Sequence, residues 1–205
     1  MKSWDKGTAK MKSGRYWLEK RAYAKKETGC SNRAAQQSAG SIQLKMYEDG
    51  INLCGTAKVT LPSIAYVCTT LTGAGLMGNL EVPYIGMIDN MTMEVEWDSP
   101  TGDAVKLLTP KKHQLDLRVA EEYWDTLETD VGIWPDKFVT IVRPKGFDPG
   151  SVAPMAAPGS KSQFVVYYFA GYRDGRQLWE VDKRNQKFVI DGKDYWAEVR
   201  KALGE

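Results

Sequence analysis

A glycine-spaced run in the middle of the chain has the residue types that could bind a dinucleotide. The pattern G-x-G-x-x-G is satisfied by Gly73, Gly75 and Gly78. Such a site needs a helix that begins within the glycines, because free N–H groups at its N-terminus bind the pyrophosphate. Pro83 and Gly86 interrupt the residues that would form this helix, and Val82 favours extended chain. A nucleotide-binding enzyme that uses GAGLMG is therefore the less favoured alternative, and we interpret the glycines as a loop tip.

The remaining reactive residue types do not form a recognisable site. Cys30, Cys54 and Cys68 lack metal-ligand spacing, and the single His113 has no partner nearby in sequence. The sequence also lacks the G-x-S-x-G, H-E-x-x-H and P-loop patterns. It therefore predicts a protein that is not an enzyme and has neither a cofactor nor a metal site.

The charge divides the chain into an arm and a domain. The 205 residues carry a net charge of +2, but residues 1–40 alone contain ten Lys/Arg and three Asp/Glu, a net charge of +7. Residues 41–205 carry a net charge of −5 and are long enough to form one hydrophobic core. No apolar run reaches the ~20 residues of a membrane span, and residues 1–10 lack the apolar core of a signal peptide.

Two functions are open for the basic arm. As a free tail it would bind nucleic acid through counterion release. Alternatively it lies along an acidic neighbouring subunit, with four aromatic residues as apolar anchors: Trp4, Tyr16, Trp17 and Tyr23. Three aromatics within eight residues are unusual in a disordered tail, which favours docking on a subunit.

The first half of the domain reads as strands joined by turns. Residues 42–47 alternate apolar and polar up to the Asp49-Gly50 turn, and Ile51–Leu61 is a second strand closed by Pro62. Residues 63–87 form a long connection, which is uncommon within a compact domain unless the segment is functional. From residue 90 to 98 the alternation is regular, with the apolar face formed by Met91, Met93, Val95 and Trp97.

A short helix and further strands follow. Ser99-Pro100 predicts a helix start, with four residues turned inward before Pro110: Ala104, Val105, Leu107 and Leu108. Leu115, Leu117 and Val119 then continue the strand alternation.

The last third of the chain predicts a central strand, two turns and a terminal helix. Phe138–Arg143 is a strand, residues 144–162 form a loop, and Phe164–Tyr172 is apolar on both faces, as in a covered strand. Asp174-Gly175 and Asp191-Gly192 mark turns, the first leading into Gln177–Val181. A C-terminal amphipathic helix would contribute five residues to the core: Tyr195, Trp196, Val199, Ala202 and Leu203. The fold class is therefore mainly β, an antiparallel β-barrel or sandwich with one or two flanking helices and the N-terminal arm.

The order of these features resembles a known family of structural proteins. The resemblance rests on four segments: YEDGINLCGTAKVTLP, GAGLMGN, EVPYIGMIDNMTMEVEW and, near the C-terminus, YFAGYRDGRQLWEVDKRNQKFVIDG. Together they resemble the major tail tube protein of contractile-tailed bacteriophages. The resemblance covers residues 43–205 and leaves the arm unassigned.

The resemblance implies a virion protein whose function is assembly. Proteins of this family close into hexameric rings that stack into a tube within a contractile sheath. The implied partners are other copies of the chain, the sheath protein, and the baseplate and terminator proteins, with DNA passing through the lumen without specific binding. The family's long loop to the adjacent ring corresponds to residues 62–88 and includes Gly73, Gly75, Met77, Gly78, Val82 and Pro83. The chain would be made in the host cytoplasm, and the tube of a phage-derived bacteriocin or secretion system is the alternative.

Two further expectations depend on the tube. Glu94, Glu96 and Asp116 are candidates for a lumen face whose negative charge would repel DNA, although polar strand positions also commonly face ordinary solvent. Cys30 in the arm and Cys68 in the loop would lie where two chains meet. They are candidates for a disulfide between subunits, while Cys54 is expected to be a buried hydrophobe. The alternative is that all three cysteines are reduced and buried.

Overall fold

The computed structural model describes residues 36–55, 58–73, 75, 77–125, 130–155 and 159–204. These residues form a mainly β structure with two short helices, which confirms the predicted fold class; the arm up to residue 35 lies outside the described residues. The strands are β1 (Gln36–Glu48), β2 (Asn52–Cys54), β3 (Lys58–Thr60), β4 (Tyr66–Leu71), β5 (Leu80–Ile88), β6 (Met91–Trp97), β7 (His113–Asp125), β8 (Asp130–Asp148), β9 (Ser160–Arg173), β10 (Arg176–Asp182), β11 (Lys187–Ile190) and β12 (Lys193–Asp194). The helices are α1 (Gly102–Lys106) and α2 (Ala197–Leu203).

Strand β9 organises the larger sheet. The strands follow the order β12-β11-β10-β9-β8-β7-β1-β2, and β6 joins this sheet by pairing with both β9 and β3. One edge of β9 pairs antiparallel with β8. The other edge is shared, because residues 160–166 pair with β6 and residues 168–173 pair with β10. A second sheet consists of β4 and β5 alone.

The chain divides into two compact units. One comprises residues 41–121 and 133–205 and contains the core and all the sites described below. The other comprises residues 1–40 and 122–132. Within its described part, Tyr123 lies so close to Gly132 that a Cβ atom there would be 2.4 Å from the tyrosine oxygen.

The core forms where alternating strands turn their apolar positions to one side. All four apolar residues predicted for one face of β6 are buried, while Thr92 on the opposite face is exposed. They pack with residues of helix α1, of its C-cap and of other strands, among them β1, β2, β7, β8, β9 and β10. This cluster includes Met46, Cys54, Ala104, Leu107, Leu115, Leu117, Val142, Phe164, Val166 and Val181. Strand β9 is central, as its composition predicts.

The three Asp-Gly turns are all present. Each has a positive φ at both residues: 52° and 74° at Asp49-Gly50, 49° and 74° at Asp174-Gly175, and 49° and 80° at Asp191-Gly192. Two residues with positive φ match the right-handed twist of antiparallel strands, and glycine adopts this conformation without steric cost. The turns therefore join β1 to β2, β9 to β10 and β11 to β12 as the sequence indicates.

Three predicted segments differ from the structure. The prediction of a single strand at Ile51–Leu61 is wrong. Strand β2 pairs with β1 whereas β3 pairs with β6, so the chain changes pairing partners between β2 and β3. The connection at residues 63–87 is an antiparallel hairpin of β4 and β5. The loop at residues 144–162 is shorter than predicted, since β8 continues to Asp148; Pro144 is accommodated at a register shift.

The helices also differ from prediction. The N-cap of α1 is Thr101 and not Ser99, and its side chain accepts a hydrogen bond from the Ala104 N–H. Because α1 has only five residues, one narrow face contacts the core: Ala104 and Leu107 are buried, whereas Val105 is 54% exposed.

The C-terminal helix is not part of the core. No residue of α2 is buried, and Tyr195 and Leu203 are exposed. Of the five predicted core residues, only Trp196 packs against the core cluster, and it precedes the helix. No helix among the described residues is both long and apolar enough to cross a membrane.

Candidate functional site

The glycine run forms the tip of the β4–β5 hairpin. Leu71 pairs with Leu80 at the end of the two strands, so residues 72–79 connect them; we call these the hairpin tip. Gly75 and Gly78 adopt φ values of 99° and 106°, which other residues rarely adopt. Strand β5, and not a helix, follows the glycines, so this run lacks the helix N-terminus that a dinucleotide site requires.

The base of the hairpin is held by the rest of the domain. The ring of Tyr66 contacts Phe188 edge-on, with centroids 5.9 Å apart. Trp196 lies directly against Gly86, and the Lys183 ammonium donates a hydrogen bond of 2.6 Å to the Asp89 carbonyl oxygen. These contacts fix the base, while the paired strands carry the tip away from it.

The predicted loop residues therefore occupy two environments. The described tip residues Gly73, Gly75, Met77 and Gly78 are exposed, and among the described residues no neighbour covers the Met77 side chain. Val82 and Pro83 lie within β5, the first half-buried and the second exposed. The hairpin also exposes six larger apolar side chains: Tyr66, Leu71, Leu80, Tyr84, Ile85 and Met87. A hairpin that exposes this many large apolar side chains is typical of an interaction site.

An apolar groove lies beside the hairpin base. It has a volume of about 330 Å³. Its walls come from both the hairpin and the β11–β12 region: Tyr66, Pro83, Tyr84, Ile85, Gly86, Phe188, Ile190 and Tyr195. Sequence reasoning missed this groove because its two walls are about a hundred residues apart; the aromatic content of both segments was the available signal.

Glu94 and Glu96 belong to a ladder of alternating charges across three strands. Lys161 Nζ on β9 lies 3.0 Å from Glu94 Oε1 and 3.2 Å from Glu96 Oε1. Lys58 Nζ on β3 lies 3.5 Å from the same Glu96 oxygen. We call these four residues the charge ladder.

The ladder affects the ionisation of its members. The hydrogen bond from Lys161 holds the pKa of Glu96 below its ordinary value. The hydrogen bonds to Glu94 and Glu96 raise the pKa of Lys161 above its ordinary value. Two lysines thus balance two carboxylates, a compensation that the strand alternation did not indicate.

Asp116 is not part of this ladder. It lies on β7, which is separated from β6 by β8 and β9 in the strand order, and it is buried. Lys137 Nζ lies 3.4 Å from its Oδ2, and the Gln114 amide donates a hydrogen bond of 3.3 Å to its Oδ1. The structure therefore brings Glu94 and Glu96 together but places Asp116 elsewhere.

The cysteines occupy different environments. Cys54 is buried, as expected, and burial raises the pKa of its thiol. Cys68 lies on β4 and is exposed, which leaves its sulfur accessible to another chain. Cys30 lies outside the described residues, so the Cys30–Cys68 disulfide remains a prediction.

The side chain of His113 holds neighbouring segments of the fold together. The imidazole is buried, with Nδ1 2.7 Å from Glu48 Oε1 and Nε2 3.0 Å from the Thr109 carbonyl oxygen. Both ring nitrogens are occupied in joining β1, β7 and the segment before β7. Among the described residues, no group of three His, Cys, Asp or Glu side chains is arranged to hold a metal ion.

Comparison with known proteins agrees with the resemblance found in the sequence. A family model described as phage tail tube protein FII matches residues 42–204. A cryo-EM structure from an extracellular contractile injection system, its sheath/tube terminator in the extended state, is similar at a TM-score of 0.46 and 8% identity. That similarity covers 64% of this chain and 94% of the other. No curated protein matches the chain.

Proposed function

The chain belongs to the phage tail tube protein FII family, and from this premise we propose that it polymerises as stacked hexameric rings into the inner tube of a contractile tail. Membership of the family makes it a structural tail tube protein. The observation that carries the finer proposal is the match itself, because it extends over residues 42–204 and thus includes the hairpin and the charge ladder.

The strand edges support assembly into closed rings. Strands β2, β3 and β12 each pair with one other strand, which leaves their second edges without a strand partner within the described part of the chain. Such edges favour pairing with another chain, and a closed ring satisfies them without open-ended aggregation. The hairpin supports stacking, because its base is fixed while its apolar tip is exposed to solvent.

The charge ladder is the proposed lumen face. Because Lys58 and Lys161 balance Glu94 and Glu96, the four residues of the ladder carry no net charge, and their two cations are already paired with carboxylates instead of being free for phosphate groups. DNA would then pass during ejection without specific binding. Asp116 would contribute little, since it is buried beside Lys137.

In this proposal the remaining partners follow from the position of the tube. The sheath protein surrounds it, and the baseplate and terminator proteins bind its two ends. The protein would be made in the host cytoplasm and incorporated into the virion.

Replacing the hairpin tip tests the proposal. Residues 72–79 are replaced by Asn-Gly, which closes a two-residue hairpin between the paired residues Leu71 and Leu80. We expect the fold and ring formation to be retained and stacking to be abolished, because the tip contributes nothing to the described core. Electron microscopy distinguishes separate rings from tubes, and long tubes formed by this variant would show that the hairpin does not join rings.

A further inference from the structure

The apolar groove beside the hairpin base is open in the described part of the chain. Four aromatic side chains line it, and three of them, Tyr66, Tyr84 and Tyr195, remain more than 40% exposed. Leaving aromatic surface of this extent in water is costly, and concave apolar surfaces commonly receive an apolar side chain of a partner.

The hairpin tip of the same chain cannot occupy this groove. Leu71, at the end of β4, lies five positions after Tyr66, which lines the groove, and this spacing corresponds to about 17 Å in a strand. Pairing of Leu71 with Leu80 holds the tip at the far end of the hairpin. The tip could reach the groove of its own chain only if the two strands separated.

The tip nevertheless has the chemistry that the groove requires. Met77 in the tip and the flanking strand residues Leu71 and Leu80 present exposed apolar side chains. The unbranched thioether of methionine adapts to irregular gaps and makes favourable contacts with aromatic rings. Each chain thus carries both an apolar projection and an aromatic groove.

The charges at the two places are complementary. Glu81 is exposed beside the tip and is the single charged residue between positions 66 and 88. Lys193 lies next to Tyr195, a residue that lines the groove, with Nζ 5.0 Å from the centre of the Tyr195 ring. Within the described residues Lys193 has no carboxylate partner, whereas the nearby Lys187 and Arg200 are paired with Glu180 and Asp194.

We propose that the apolar groove of one copy receives the hairpin tip of a second copy, with Glu81 of one chain facing Lys193 of the other. This rests on the proposed tube function and names the surface that receives the tip. Because projection and groove are different surfaces of the same chain, the contact is heterologous, and it can repeat from copy to copy along an axis when the rotation between copies does not close a ring. It therefore suits the stacking of rings along an axis.

A charge exchange tests this contact in the full-length protein. The critical concentration for tube formation is measured by sedimentation for the wild type, Glu81→Lys, Lys193→Glu and the double variant. We expect each single variant to raise this concentration by roughly tenfold, because it places like charges together, and the double variant to restore it. Lys112→Glu, the same reversal at an exposed lysine outside the groove, is the matched control and should assemble as the wild type does.

A cross-linking measurement keeps the test independent of charge effects. In a background with Cys30→Ser and Cys68→Ser, a Met77→Cys chain is mixed with an Ile190→Cys chain under assembly conditions. A disulfide-linked pair that contains one copy of each chain is expected. Its absence from assembled tubes would overturn the contact.

The outcomes separate the two proposals. If the wild-type protein forms no rings or tubes, the proposed function itself fails, and the contact fails with it. If tubes form but the single variants assemble normally, or the double variant remains impaired, the tube function stands and the groove is not its receiving surface.

Discussion

Trp196 occupies the space that a side chain at Gly86 would need. A Cβ atom on Gly86 would lie 1.9 Å from both Cδ1 and Nε1 of the indole, and Gly86 has a φ of 67°. The C-terminal segment thus packs directly onto the backbone of β5. This contact couples the hairpin base to the end of the chain, since any larger residue would displace the indole.

Gly86→Ala should therefore destabilise the protein. The substitution combines a collision with Trp196 and a backbone conformation unfavourable for alanine, effects of about 1–3 kcal/mol each. Chemical denaturation measures the free energy of unfolding. Gly146→Ala is the matched control, because Gly146 lies in β8 with open space around it and should lose no stability. Equal stability of the two variants would contradict the described packing.

The two buried serines of β9 should respond differently to alanine. Trp97 Nε1 donates a hydrogen bond of 2.9 Å to Ser162 Oγ in the core, whereas the buried Ser160 Oγ has no hydrogen-bond partner among the described residues. Ser162→Ala leaves the indole N–H unpaired and should cost about 1–3 kcal/mol. Ser160→Ala removes a hydroxyl that makes no hydrogen bond, so its free energy of unfolding should stay the same or rise. If Ser160→Ala instead proved less stable than Ser162→Ala, the Trp97 indole N–H would have a hydrogen-bond acceptor other than Ser162.

Local patterns predicted those parts of the fold that depend on local chemistry. The Asp-Gly turns and the apolar face of β6 follow from φ preferences and from two-residue periodicity, and both are present. The exchange of partners between β2 and β3 and the shared edge of β9 depend on which strands meet in space. The C-terminal helix is present as predicted, but its packing into the core is not, because periodicity shows that an apolar stripe exists and not that anything in the same chain covers it.

The same distinction between local patterns and long-range pairing applies to the candidate functional site. The glycine tip and the neighbouring Glu94 and Glu96 could be recognised from short segments. The groove and the balancing Lys58 and Lys161 could not, because their positions are set by pairing between distant strands.

The charge ladder should make stability depend on pH at both extremes. The folded-state pKa of Glu96 is lowered, so its contribution is present above the ordinary value of 4.5 and is lost as pH falls through the lowered value. The pKa of Lys161 is raised, so its contribution is present below the ordinary value of 10.5 and is lost as pH rises through the raised value.

Lys161→Gln should therefore lower the free energy of unfolding at pH values between the pKa of Glu96 and the pKa of Lys161. Below and above this range the variant and the wild type should differ less in stability. Denaturation of both proteins from about pH 3 to about pH 11 measures this difference. Lys145→Gln, at an exposed lysine of β8, is the control. A difference that is the same at every pH would mean that Lys161 does not act through its ion pairs.

The cysteines should differ in reactivity and in cross-linking. In the folded protein a thiol reagent should label Cys68 and leave Cys54 unmodified, because Cys54 is buried with a raised pKa. Non-reducing electrophoresis of mature particles should show a cross-linked species that disappears with Cys68→Ser or Cys30→Ser and persists with Cys54→Ser. Monomers alone, with thiols trapped at lysis, would contradict the disulfide.

Cryo-electron microscopy of the assembled full-length protein tests the central claim most directly. At high concentration, or when seeded with fragments of native particles, the protein should form hollow tubes of stacked rings with six copies in each ring. The charge ladder should line the lumen, and the β4–β5 hairpin should reach the adjacent ring. A monodisperse monomer at every concentration, even with seeds present, would contradict the account.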